Sequence, residues 1–253
     1  MVATELDLRA RHDPHACVLA APPAAALSGL RGLALLEGQS DIVLAEVARA
    51  CRFQLVRPRQ AVMSRADRDC DCYLVLTGRL RVVALSPGGR EVSLRDAVAG
   101  ETIGEMAALD GRPRSATVVA LQESLLGRIG SADLKDLLRR HWPICERMLR
   151  HLARTARALT ERVYELSTLS VQQRLCAELM RLALAAEERG SERVVLNPVP
   201  SQRELAARIG TSREQVAREL GELARLGLLS REHEQVVLED MRRLAERIEA
   251  APA

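Results

Sequence analysis

Aromatic side chains are almost missing from this chain. They make up 2% of its 253 residues, with one Trp, two Tyr and one Phe, so any core is built from Leu, Val, Ile and Ala. Lysine occurs once, at Lys135, and arginine carries nearly all the positive charge. The formal net charge of +3 does not by itself announce a nucleic-acid partner. No apolar run reaches the roughly 18 residues of a membrane span. The apolar ACVLAAPPAAAL is preceded by Glu5 and Asp7 and broken by Pro22-Pro23, a poor fit to a secretion signal. Residues 1–33 are therefore read as a poorly ordered leader. The six cysteines (Cys17, Cys51, Cys70, Cys72, Cys145, Cys176) form neither a CxxC pair nor a disulfide framework, which points to reduced thiols in the cytoplasm. Cys70-Asp71-Cys72 reads as two buried structural thiols, since an iron–sulfur cluster wants four. The five histidines give no HxxxH pair, and no metal or cofactor is expected. There is no GxxxxGK[ST] loop, no strand–GxGxxG–helix unit and no nucleophile–base arrangement, so the usual di- and trinucleotide sites and catalysis are excluded.

What is present falls into two periods. Hydrophobic residues are 47% and charged residues 28%, enough for one generous domain or two modest ones. After a helical pattern at 41–51, residues 52–129 carry short β-like runs between glycine turns: CRFQLV, CYLVLTG, RLRVVAL, EVSLRDAV, RSATVVA and SLLGRI, with Ser86-Pro87-Gly88-Gly89 as a hairpin break. They predict an antiparallel barrel or sandwich over 34–141. From Trp142 the chain runs without glycine to Gly190. Cys145, Leu149, Leu152, Ala156, Leu159, Val163 and Leu166 alternate in steps of four and three, a heptad seam. Charged flanks (Arg147, Arg154, Arg157, Glu161, Arg162, Glu165) leave only that stripe free to bury, so a helix over 142–169 that pairs with a second copy is expected. A second helix follows over 171–188. Ser201 with Glu204 forms a capping-box pattern, and the last 14 residues read as a short helix with a frayed end.

The stretch 100–120, GETIGEMAALDGRPRSATVVA, concentrates polar chemistry. Gly104 permits close backbone approach, and the turn after it offers amides to an anion. Glu105 suits a ribose 2′-hydroxyl. Arg114 presents a planar fork to a phosphate's two free oxygens, with the Ser115 hydroxyl beside it. Together these groups suit a nucleotide with one negative charge.

The segment resembles the phosphate-binding cassette of cyclic-nucleotide-binding domains, through Gly104-Glu105-Met106-Ala107 and Pro113-Arg114-Ser115-Ala116. The resemblance implies that Glu105 bonds the ribose, that Arg114 neutralises the cyclic phosphate, and that Ile103, Gly104, Met106, Ser115 and Ala116 complete the site. It also implies a base contact from the seam helix. There Leu159 stands where cyclic-AMP receptor proteins usually place threonine, followed by Thr160. Thr160 could substitute, from its own chain or the partner's, while Ser115 could instead meet the amino group of guanine. Cyclic AMP is favoured over cyclic GMP, and both stay open.

The second loaded stretch is PSQRELAARIGTSREQVARELGELARLGLLSREHEQVVL. A helix ending at Gly210, a helix capped at Thr211-Ser212 and a two-stranded wing make a winged helix-turn-helix. Arg213, Glu214 and Arg218 cluster on the second helix. Arginine matches guanine O6/N7, and a carboxylate accepts from cytosine N4. TSREQVAREL is similar to the recognition helix of the cyclic-AMP receptor protein/FNR family. That similarity implies base contacts by Arg213, Glu214 and Arg218 on a TGTGA-like half-site, within a DNA-binding set that also includes Ser201, Gln202, Arg203, Thr211, Ser212 and Gln215. Ser201 and Ser212 would hold phosphates. Glu232-His233-Glu234 at the wing turn departs from the family and would weaken backbone contact.

The expected protein is thus α+β: a jelly-roll-like antiparallel β-roll (34–141), a dimerisation helix (142–169), a winged helix-turn-helix (170–240) and a terminal helix (241–253). The implied function is a cytoplasmic, homodimeric, cyclic-nucleotide-responsive regulator of transcription that engages double-stranded DNA and RNA polymerase and no membrane. The alternatives are a regulator of the same build that is ligand-independent or redox-responsive, and a nucleotide-binding module that does not touch DNA.

Overall fold

The computed structural model describes residues 18–19, 24–65, 67–85, 91–185, 193–197, 199–232 and 235–249. The chain forms two compact units, Met1–Arg154 and Thr155–Ala253.

In the first unit, α1 (Ala24–Arg31) and α2 (Asp41–Ala50) lead into a β-roll. Its strands are β1 (Cys51–Val56), β2 (Ala61–Met63), β3 (Cys72–Thr77), β4 (Arg79–Leu85), β5 (Glu91–Val98), β6 (Thr102–Ile103), β7 (Thr117–Ala120) and β8 (Ser124–Ile129). A short helix, α3 (Glu105–Asp110), sits between β6 and β7, α4 (Ser131–Arg140) follows, and α5 (Trp142–Thr168) begins in this unit and ends in the second. Two four-stranded sheets result, in the orders β1-β8-β3-β6 and β2-β7-β4-β5, with every pairing antiparallel. The central strand β3 shows why. Its Tyr73 and Val75 enter the core between the sheets, while Cys72, Leu74 and Leu76 enter a second core under the helices. A strand buried on both faces reads as a continuous apolar run, as CYLVL does.

The structure corrects the leader. Residues 24–31 are helical, and Ala26, Leu30 and Leu33 are fully buried. Gly29 lies so close to β3 that an added Cβ would stand 2.7 Å from that of Leu76. The helix packs because its small residues let it approach the sheet, which outweighs the local disorder signal. Residues 1–17 and 20–23, the hairpin break at Ser86-Gly89, and His233 and Glu234 of the wing turn lie outside the described residues.

The seam is also revised. Along α5, Ile144 and Met148 are buried against the helix-side core, and Leu152 packs partly on it. Cys145 is half-buried. Leu149, Ala156, Leu159, Val163 and Leu166 are exposed, joined by Tyr164. Two stripes thus share one helix, and Leu152 serves its own unit. Glu165, read as a solvated flank, is buried and accepts from Arg162 and Arg181.

In the second unit, α5 ends at Thr168, and α6 (Val171–Ala185), β9 (Val194–Leu196), α7 (Gln202–Ile209), α8 (Arg213–Arg225), β10 (Leu229–Glu232), β11 (Gln235–Leu238) and α9 (Met241–Glu249) follow. The strands form one antiparallel sheet, β10-β11-β9, around a core of Leu175, Leu179, Leu205, Ile209, Val216, Leu220 and Leu223 with the strand residues. Arg174 is buried beside the break at 169–170. Its Nε donates to the Ile209 carbonyl (2.9 Å) and its Nη1 to that of Leu169 (2.7 Å), so one cation satisfies two helix C-termini.

Candidate functional site

The β-roll carries seven of the predicted site residues, Ile103, Gly104, Glu105, Met106, Arg114, Ser115 and Ala116, and brings Arg114 onto Gly104 and Ser115 onto Met106. β6 pairs with β3, placing Ile103 opposite Tyr73. The chain then turns through Gly104 at φ +78°, the left-handed region glycine favours, into α3. Glycine is required twice over. A Cβ there would meet Arg114 Nη1 at 2.7 Å, the Asp71 carbonyl at 3.0 Å and Met63 Cε at 3.0 Å. Gly104→Ala is expected to lower the melting temperature by several degrees, since the left-handed turn costs ~1–2 kcal/mol for a residue with a Cβ. It should also displace Arg114. Thermal unfolding with a ligand titration checks both.

Arg114 is buried despite its charge. Its guanidinium lies 5.8 Å from the Tyr73 ring centroid, and its Nη1 donates to the Gly104 carbonyl at 3.2 Å. Nη2 donates to Asp69 Oδ2 at 2.6 Å, and Nε approaches Asp69 Oδ1 at 3.4 Å. Glu105 is buried at the start of α3, and His151 Nε2 of α5 stands 3.5 Å from its Oε1, too far for a hydrogen bond. Arg114 and Glu105 therefore do not neutralise each other. Arg128 pairs with Asp71, and both charges act on Tyr73. Burial holds the Tyr73 phenol protonated, well above its usual range, and among the described residues its hydroxyl has no hydrogen-bond partner. Such a buried donor calls for an acceptor.

Ser115 is exposed and its Oγ reaches Met106 Sδ at 3.9 Å, whereas Ala116 is buried. Leu159 and Thr160 belong to the second unit. Both are exposed, and the Thr160 hydroxyl donates to the Ala156 carbonyl at 3.0 Å. Asp69, Tyr73 and His151 were missed in the sequence. Only the extra acid in Asp67-Arg68-Asp69, ahead of the strand, hints at the first.

Cys72 is buried, and burial together with the nearby Glu105 charge pushes its thiol well up. Cys70 stands before β3 and is only half-buried, against expectation. Among the described residues no group of three or more His, Cys, Asp or Glu is placed to hold a metal.

In the second unit, Ser201 closes a full capping box with Glu204 at α7. Gly210 (φ +69°) turns the chain, and Ser212 caps α8 by accepting from the Gln215 amide at 3.2 Å. Val216, Leu220 and Leu223 bury one face of α8, leaving Arg213, Glu214 and Arg218 exposed on the other. Hydrogen bonds from its own backbone amide and Ser212 hold the Glu214 carboxyl below its usual range, so it stays a carboxylate acceptor. Arg218 donates to Gln215, whose amide donates to Glu219 at 2.6 Å. Arg203 is exposed, Gln202 is half-buried at the start of α7, and Thr211 is half-buried at the turn.

Residues 53–141 match the cyclic nucleotide-binding domain, and 173–247 match the Crp-like helix-turn-helix domain. Over 162 residues the chain is 36% identical to the cyclic AMP receptor protein of Thermus thermophilus, covering 62% of this chain and 69% of that one. It is 28% identical over 177 residues to the CRP-like cAMP-activated global transcriptional regulator of Mycobacterium tuberculosis, covering 69% and 78%. The solved structure of CLP, a c-di-GMP responsive global regulator of Xanthomonas campestris, aligns at a TM-score of 0.68 and 25% identity, covering 79% of this chain and 99% of that one. A cyclic nucleotide-binding domain on the same chain as a Crp-like helix-turn-helix defines the class as transcription regulator, not enzyme. The chain belongs to the Crp-Fnr family. No helix among the described residues is long and apolar enough to cross a membrane.

Proposed function

We propose that this regulator is switched by a cyclic mononucleotide and binds a TGTGA-like palindrome as a homodimer in the cytoplasm, where it engages RNA polymerase. The observation that carries the reading is the buried Arg114 guanidinium, held at the Gly104 turn over the ring of Tyr73, whose hydroxyl has no partner among the described residues, within a matched cyclic nucleotide-binding domain. In this reading Arg114 takes the phosphodiester and Glu105 the ribose 2′-hydroxyl. Ile103, Gly104, Met106, Ser115 and Ala116 line the ligand. Cyclic AMP is favoured over cyclic GMP, in line with relatives named for cyclic AMP.

The exposed stripe Leu149, Ala156, Leu159, Val163 and Leu166 is the proposed dimer face. Arg213, Glu214 and Arg218 would read base edges, with Ser201, Gln202, Arg203, Thr211, Ser212 and Gln215 around them on DNA. Ligand binding shifts the dimer toward the arrangement that fits successive major grooves. Fluorescence anisotropy on the palindrome tests this, with cyclic AMP expected to strengthen binding about tenfold or more. Equal affinity with cyclic AMP, cyclic GMP, c-di-GMP or nothing would favour a regulator of this build that needs no small molecule, the second reading to which the Asp69–Arg114 pair lends support. Val163→Asp should turn the dimer into monomer in sedimentation at micromolar concentration, because a carboxylate in a paired apolar seam is costly. An unchanged dimer would place the interface elsewhere.

A further inference from the structure

The Nε–Nη2 edge of the Arg114 guanidinium is occupied. Nη1 is committed to the Gly104 carbonyl, and Nε and Nη2, the two parallel donors that a phosphate would take, both face the carboxylate of Asp69. A carboxylate and a phosphodiester present the same pair of acceptor oxygens to this fork. They cannot both have it, and two anions at one cation repel.

We propose that Asp69 is an affinity-setting residue: an internal anion that exchanges with the ligand's phosphate on Arg114. The proposal rests on the nucleotide reading of this site. Two features make the exchange feasible. Asp69 lies in residues 67–71, which form neither helix nor strand, so its displacement breaks no sheet ladder. Its side chain is 24% exposed while that of Arg114 is 1% exposed, so the carboxylate can turn to water while the guanidinium stays. Charge balance points the same way. Around Tyr73 stand two cations, Arg114 and Arg128, and two anions, Asp69 and Asp71, each paired. A bound phosphodiester adds one negative charge, and rotation of Asp69 into solvent removes one. Binding is thus weaker than the fork alone would give, by the free energy of the internal pair. A site built this way responds only when the ligand is abundant enough to win the exchange.

The test is calorimetric titration of full-length wild type, Asp69→Asn and Asp71→Asn with cyclic AMP and with cyclic GMP, melting curves confirming that each variant is folded. Asparagine keeps the shape of Asp69 and removes the competing charge. Asp69→Asn is expected to bind about tenfold tighter or more, and binding by Asp69→Asn where wild type shows none would support the exchange most strongly. Asp71→Asn removes an equal charge two residues along the chain, from a carboxylate that serves Arg128, and is expected to stay within about threefold of wild type. Unchanged or weaker binding by Asp69→Asn, or equal tightening by Asp71→Asn, overturns the exchange while leaving the nucleotide reading standing. No heat from wild type or Asp69→Asn with either nucleotide at millimolar concentration overturns that reading itself and the exchange with it.

Discussion

Arg114→Ala is expected to weaken cyclic nucleotide binding by roughly 100-fold while the β-roll stays folded. A hydrogen-bonded ionic contact is worth about 1.5–3 kcal/mol, and each 1.4 kcal/mol is tenfold in affinity. The bidentate fork and its buried setting put this contact near the upper end. The cost to folding is smaller because the groups left behind have other recourse. Asp69 is part-exposed and can hydrate, and the Tyr73 ring keeps its packing between the sheets. The stacking of guanidinium on ring is worth roughly 0.5–2 kcal/mol. For a unit of this size that is a loss of a few degrees in melting temperature. A mutant that melts many degrees lower yet binds normally when folded would make Arg114 a structural cation.

The second large effect belongs to the other unit. Arg213→Ala should lower affinity for the palindrome by roughly 10- to 100-fold, since a good bidentate base contact is worth about 1–3 kcal/mol, while binding to unrelated duplex barely changes. Arg213 is the first residue of α8 and is exposed, whereas the buried face of that helix is Val216, Leu220 and Leu223. A loss on DNA therefore cannot be charged to unfolding. A gel shift on specific and scrambled duplexes separates the two terms. Equal binding of the palindrome by wild type and mutant would deny base readout to this helix.

The parts of the fold that could be read from sequence are those whose signal is local. Six of the eight strands of the roll announce themselves as β-branched runs between glycine turns. β2 and β6, at three and two residues, are too short to carry a pattern. The capping box at Ser201 and the glycine turn at Gly210 gave the helix-turn-helix directly. α1 was hidden because its stability comes from contact with β3, not from its own alanine-rich text. α4 passed unnoticed beside the longer helix, although Leu134 and Leu137 already mark its buried face. On α5 the pairs Cys145/Leu149 and Ile144/Met148 have the same spacing, and only the packed roll decides which stripe turns inward. The site divides in the same way. Gly104, Glu105, Arg114 and Ser115 lie close enough in sequence to suggest a nucleotide. Asp69 reaches Arg114 across 45 residues, and His151 reaches Glu105 from α5, so no local pattern could reveal either.

The most direct trial of the central claim, that a cyclic phosphodiester binds at Arg114 with its sugar on Glu105, is a calorimetric titration of the full-length wild-type protein with cyclic AMP and then cyclic GMP. One molecule bound per chain, with the heat lost in Arg114→Ala, is the expected result. No heat from either nucleotide, with wild type or with Asp69→Asn, in a protein that still binds its palindrome, would contradict it.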